Sequence, residues 1–188
     1  MKVLICVTGM PGAGKTLVSR AIASALGTPL ISMGDVVRDE AVARGYSLDL
    51  RSMMKFAKEL RKELGKAAVA ELVLRRLNTI TNPVVVVDGV RSIYEVERFR
   101  RNAMVIVVAV HASPKERFRR LKSRGRRDDP KTWSEFARRD MEELELGLGN
   151  VIALADIMLV NEGMDLSSIK SEALRRVKEE VRNVLAKG

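Results

Sequence analysis

The chain predicts a three-layer α/β domain, a five-stranded parallel sheet with helices on both faces. Three observations carry this. First, the runs 2–7 (KVLICV), 84–87 (VVVV) and 104–110 (MVIVVAV) are apolar without polar alternation, as strands buried on both faces require. Second, the stretches between them place apolar residues at i, i+3, i+4 spacing, the helical period. Third, Gly9-Met10-Pro11-Gly12-Ala13-Gly14-Lys15-Thr16 joins the first strand to the first helix and fits G-x-x-x-x-G-K-[ST]. Strands alternating with helices imply parallel pairing with crossover connections.

The third observation is also chemical. Glycines let the backbone curl so that successive N–H groups face phosphate oxygens. The helix N-terminus behind them adds partial positive charge. Lys15 can reach β- and γ-phosphates, and the Thr16 hydroxyl can ligate Mg²⁺. Residues 9–16 are therefore read as the cradle of ATP and its magnesium. No Asn-Lys-x-Asp guanine motif occurs, which argues against a GTPase-like switch.

The totals narrow the class. At 188 residues the chain suits one domain, 1–188. No apolar run approaches the roughly 20 residues that span a bilayer, and the first apolar segment is too short for a signal peptide. No membrane association and a cytoplasmic location are expected. A single cysteine, Cys6, rules out an internal disulfide, and one cysteine with one histidine argues against structural zinc. The net charge of +10 suits an anionic partner, either nucleotides or nucleic acid. Aromatic residues at 4% argue against a base-stacking platform, which makes nucleic acid the weaker of the two.

Taken in order, a short second strand at 30–32 leads into Met33-Gly34-Asp35-Val36-Val37-Arg38. Ligands of open α/β sheets bind outside the C-terminal strand ends, so Asp35 and Arg38 are candidates for a second substrate. Alternatively, Asp35 N-caps a helix at 36–44. Residues 47–77 read as helix, with Met53, Phe56, Leu60 and Leu64 on one stripe and Val69, Leu72, Val73 and Leu77 on another; Gly65 divides them. Residues 35–80 form a helical insert over the acceptor site in this reading. The third strand ends in Asp88, placed to hold the metal beside Thr16. Gly89 and Arg91 follow, and Arg91 can grip a phosphate bidentately or pair with Asp35 or Asp88.

Ser92-Ile93-Tyr94-Glu95 is a capping box, and Ser113-Pro114-Lys115-Glu116 and Thr132-Trp133-Ser134-Glu135 start two further helices. His111, the only histidine, ends the fourth strand and is assigned a local hydrogen bond rather than catalysis. Residues 123–139 are dense in arginine and read as a short lid that closes over polyphosphate. Arg124, Arg126 or Arg127, and Arg138 are expected to turn inward, Arg117 and Lys122 outward. A fifth strand at 155–160 leads to Asn161-Glu162-Gly163, where a base can rest, and Asp165 caps a final amphipathic helix.

These residues resemble the P-loop kinase superfamily. Gly34-Asp35-x-x-Arg38 resembles the acceptor motif of adenylate kinases, and Asp88-Gly89-Val90-Arg91 their arginine contact to the acceptor phosphate. Arg127-Asp128-Asp129 with Arg138 is similar to their lid arginines. Ala155-Asp156 and Asn161-x-Gly163 are similar to dephospho-CoA kinase. Taken whole, the chain resembles an archaeal family of adenylate-kinase-related, dephospho-CoA-kinase-like proteins. It departs from adenylate kinases in lacking the proline before the acceptor-site arginine and in its short lid without zinc-ligand cysteines.

The resemblance implies a P-loop NTPase fold and transfer of the γ-phosphoryl group of Mg-ATP to a small, phosphate-bearing, nucleotide-like acceptor. Gly9–Thr16 would hold the donor, Thr16 and Asp88 the metal, and Asp35, Arg38, Asp88 and Arg91 the acceptor. Lys15, Asp35, Arg91, Arg127 and Arg138 would act on the reacting groups. A monophosphate acceptor needs no base; a hydroxyl acceptor, as in dephospho-CoA, would use Asp35. The competing reading is a nucleotide- or RNA-binding module with little turnover.

Overall fold

The computed structural model describes residues 2–125 and 129–186. Five parallel strands form its sheet: β1 (Val3–Thr8), β2 (Leu30–Ser32), β3 (Val84–Asp88), β4 (Met104–His111) and β5 (Ile157–Val160), in the order β2-β3-β1-β4-β5. Between and after them run α1 (Lys15–Leu26), α2 (Met33–Ala43), α3 (Leu50–Leu64), α4 (Ala68–Leu77), α5 (Ile93–Arg100), α6 (Pro114–Arg124), α7 (Trp133–Glu145), α8 (Leu148–Ala153) and α9 (Leu166–Ala186).

Strand alternation sorts the core into two halves. Val3, Ile5 and Val7 of β1 face α1 and α9, where Val18, Ile22, Ile169 and Val177 close the layer. Leu4 and Cys6 point the other way, onto α2–α5 and α8 through Val36, Phe56, Leu60, Val73, Phe99 and Val151. Both halves are apolar, which is why the central strands read as unbroken hydrophobic runs. Cys6 is fully buried; desolvation pushes its thiol well up, so it packs as a small neutral hydrophobe.

Helix starts follow their caps. Ser92 and Glu95 form the expected capping box, as do Thr132 and Glu135, and Pro114 opens α6 behind Ser113. Asp165 accepts from the backbone N–H groups of Ser167 and Ser168 (both 2.8 Å). Gly65 ends α3.

Local details differ from expectation. α2 is capped by Ser32, whose hydroxyl accepts from the Asp35 N–H at 3.2 Å, so Asp35 lies in the first turn instead of at the cap. β5 starts two residues later than 155, because Asp156 turns its carboxylate to the Val107 N–H (2.7 Å) and closes the ladder from the side. α8 was not foreseen: glycines on either side of Leu148 hide its short apolar stripe. Arg126, Arg127 and Asp128 lie outside the described residues. Among the described residues no helix is long and apolar enough to cross a membrane.

Candidate active site

The loop after β1 is held from outside at two of its glycines. Gly9 has φ 142°, and a side chain there would collide with the Val110 carbonyl at the end of β4. Gly14 has φ 100°, and the Asn161 amide occupies the space a Cβ would take. Asn161, just past β5, donates from its side chain to the Ala13 carbonyl (2.8 Å) and from its backbone to His111 O (2.7 Å). Arg120 of α6 closes this bracket through Asn161 O (2.7 Å). The Asn161 side chain is thus committed to the loop itself. His111 is exposed, and its backbone carbonyl accepts from the Asn161 N–H.

Inside the loop, the Lys15 ammonium folds back to donate to Gly9 O (2.7 Å) and Met10 O (3.3 Å). Desolvation, assisted by the Arg91 charge, pulls its pKa down to about 8 against the opposing pull of Asp88 and Glu143. A lysine held this way gains most when a polyphosphate arrives. The β1–β3 register pairs Val7 with Asp88 and sets that carboxylate beside α1. There Asp88 is buried, with Thr16 Oγ1 donating to Oδ2 (2.9 Å) and the Ser19 hydroxyl 2.9 Å from Oδ1. One carboxylate and a neighbouring hydroxyl are hard oxygen donors that suit Mg²⁺. No cluster of three His, Cys, Asp or Glu occurs among the described residues, so a metal here would complete its shell with water and phosphate oxygens. Ser19 was missed in the sequence reading, where it looks like one more helical residue.

Arg91 emerges after Gly89, with Glu95 Oε2 accepting from its N–H (2.8 Å) and from that of Ser92 (3.1 Å). Its half-exposed guanidinium meets neither Asp35 nor Asp88; it pairs with Glu143 Oε1 of α7 at 3.2 Å. Glu143 is another residue the sequence reading missed.

The arginine-rich stretch divides differently from expectation. Arg117, expected outside, is 4% exposed. It binds Asp140 of α7 (Nη1–Oδ1 2.8 Å) and donates to Pro11 O (3.1 Å) and Ala112 O (3.2 Å), with its guanidinium 4.9 Å from the Phe136 ring centre. The signal was present: Arg117 lies four residues before Leu121, on the same helical stripe. Arg138, expected inside, is exposed beside Glu142 (4.0 Å). Its neighbour Arg139 is turned inward by one helical step, close enough for its charge to lower Lys15. Arg124 pairs with Asp129, which is almost fully buried. Lys122 is exposed, as expected.

Asp35 and Arg38 follow β2, whose register sets Ser32 beside Asp88. Both are exposed and form an ion pair with each other. The Arg38 hydrogen bond, with a second from the Ser32 side, holds the Asp35 carboxyl below the usual range.

Comparison with known proteins agrees with this architecture. A family model described as an AAA domain matches residues 8–137, from the loop to the start of α7. A UPF0200 protein from Thermococcus onnurineus is 47% identical over 188 residues, covering 97% of this chain and 98% of the relative. Among solved structures, TT1252 from Thermus thermophilus superposes with TM-score 0.67 at 21% identity, covering 95% of this chain and 97% of that one. A gluconokinase from Sinorhizobium meliloti 1021 superposes with TM-score 0.61 at 22% identity, covering 98% and 96%. These structural likenesses show a shared P-loop kinase-like fold. The sequence match extends over nearly the whole chain, and the protein belongs to the archaeal UPF0200 family.

Proposed function

We propose that this protein transfers the γ-phosphoryl group of Mg-ATP to a small anionic, nucleotide-like acceptor. One observation carries the reading. Lys15, Thr16 and Asp88 converge on one loop, while Arg91 arrives from the end of β3 and Arg139 from α7. Loose phosphoryl-transfer transition states need little covalent help; they need positioned positive charge. Lys15 would move from its loop carbonyls to the β- and γ-phosphate oxygens. Thr16 and Asp88 would hold Mg²⁺, which would supply positive charge against the developing negative charge of the phosphates. Arg91 would orient the acceptor, with Arg38 binding its anionic end. Arg139 replaces Arg138 as the α7 arginine on the transferring group.

The test is direct incubation of the pure protein with Mg-ATP and a panel of acceptors, followed by mass spectrometry of the products. The panel comprises AMP, CMP, GMP, UMP, adenosine and dephospho-CoA. A phosphorylated product that disappears in Lys15→Ala supports the reading. No transfer to any member, together with tight salt-sensitive RNA binding, would favour the non-catalytic alternative.

A further inference from the structure

We infer that Glu143 is the carboxylate that receives the acceptor, and that this acceptor presents a hydroxyl group to the site. The inference rests on the phosphotransferase reading and names the chemistry of its second substrate.

Glu143 is only 7% exposed, yet its Oε2 has no hydrogen-bond partner, the only such buried side-chain atom among the described residues. Its other oxygen is occupied by Arg91 at 3.2 Å, and its charge reaches Lys15. An unpartnered buried carboxylate oxygen beside Arg91, within electrostatic reach of Lys15, is a standing acceptor for a donor that arrives with ligand. Phosphate oxygens of a monophosphate carry negative charge and would be repelled there. A hydroxyl O–H is neutral and donates.

The other carboxylates nearby are committed. Asp88 has one oxygen on Thr16 and one beside Ser19. Asp140 has both on Arg117. Asp35 is exposed to water and paired with Arg38, whereas Glu143 is buried with one oxygen unpartnered. That leaves Glu143 to take the role first assigned to Asp35.

The step balances without further reagents. The acceptor O–H bond breaks and its proton passes to Glu143 Oε2. The acceptor oxygen bonds to the γ-phosphorus. The bond from that phosphorus to the bridging oxygen breaks, and its electron pair leaves on ADP.

The experiment uses the full chain, Mg-ATP and four acceptors, adenosine and dephospho-CoA for their hydroxyls and AMP and CMP for phosphate oxygens beside ribose hydroxyls, with the phosphorylated atom identified by fragment masses. Glu143→Gln keeps the shape and can still accept from Arg91, so a purely supporting role would leave turnover unchanged. We expect a hydroxyl ester product from the wild type. In Glu143→Gln, kcat should fall by about 10²-fold or more with the KM for ATP held, a loss typical of a removed acid–base group. Glu143→Asp should recover part of the rate, and thermal melts should show both variants folded. Product formed only on phosphate oxygens, or Glu143→Gln turnover within about threefold of the wild type, would overturn the inference while leaving phosphoryl transfer standing. Absence of transfer to every acceptor would remove the phosphotransferase reading and this inference with it.

Discussion

The phosphate-type loop and the helices α2–α4 are built differently. Around the loop, buried polar groups are paired: Asp88 with Ser19 and the exposed Thr16, Asn161 with Ala13, and Arg117 with Asp140 and Pro11. On α2–α4, charges are exposed and paired among themselves: Arg38 with Asp35, Arg76 with Asp39, and Arg44 with Glu63. The loop is therefore held in place by its own contacts, whereas α2–α4 hold their charges in surface pairs that a ligand can exchange cheaply. Such a division would suit the phosphoryl transfer proposed above, with rigid binding of a common donor and adaptable binding of a particular acceptor.

The comparison can be broken most forcefully at Asp140. Removing it in Asp140→Ala leaves the Arg117 guanidinium charged and buried between α6, α7 and the loop. Such a loss costs about 3–5 kcal/mol, read as a lower urea midpoint. Replacing both partners by apolar residues of similar size should recover much of the loss. A variant with an unchanged midpoint would mean that the loop and its surroundings are far less rigid than their contacts imply.

A smaller effect concerns Lys15. Its pKa is about 8 in the free protein, and a bound polyphosphate would raise it. Binding must then take up a proton whenever the pH lies above about 8 and below the raised value. ATP affinity should thus be flat below about 8 and fall above it, by up to about tenfold per pH unit. Fluorescence of Trp133, the single tryptophan, at the start of α7 offers the readout. Lys15→Arg, which stays charged, should abolish the slope.

The smallest change in stability is expected on α2. The Asp35–Arg38 pair is exposed, and such pairs contribute at most about 1 kcal/mol. Arg38→Ala should barely move the unfolding midpoint yet raise the KM for the acceptor. A drop in stability without a change in KM would make the pair structural and leave Arg91 as the acceptor's arginine.

Much of this molecule was written locally in the chain. The strand-loop-helix at 3–26, the buried strands, the break at Gly65 and the caps at Ser92, Ser113 and Thr132 depend on neighbours within a few residues, so short windows encode them. The choice between Arg138 and Arg139, the burial of Arg117 and the placement of Glu143 beside Arg91 belong to tertiary structure. One residue along a helix turns a side chain by about 100°, and the composition of a charged run does not record that rotation. Packing of α6 and α7, with Phe118, Trp133 and Phe136 in mutual contact, sets which charges reach the cleft and which meet water.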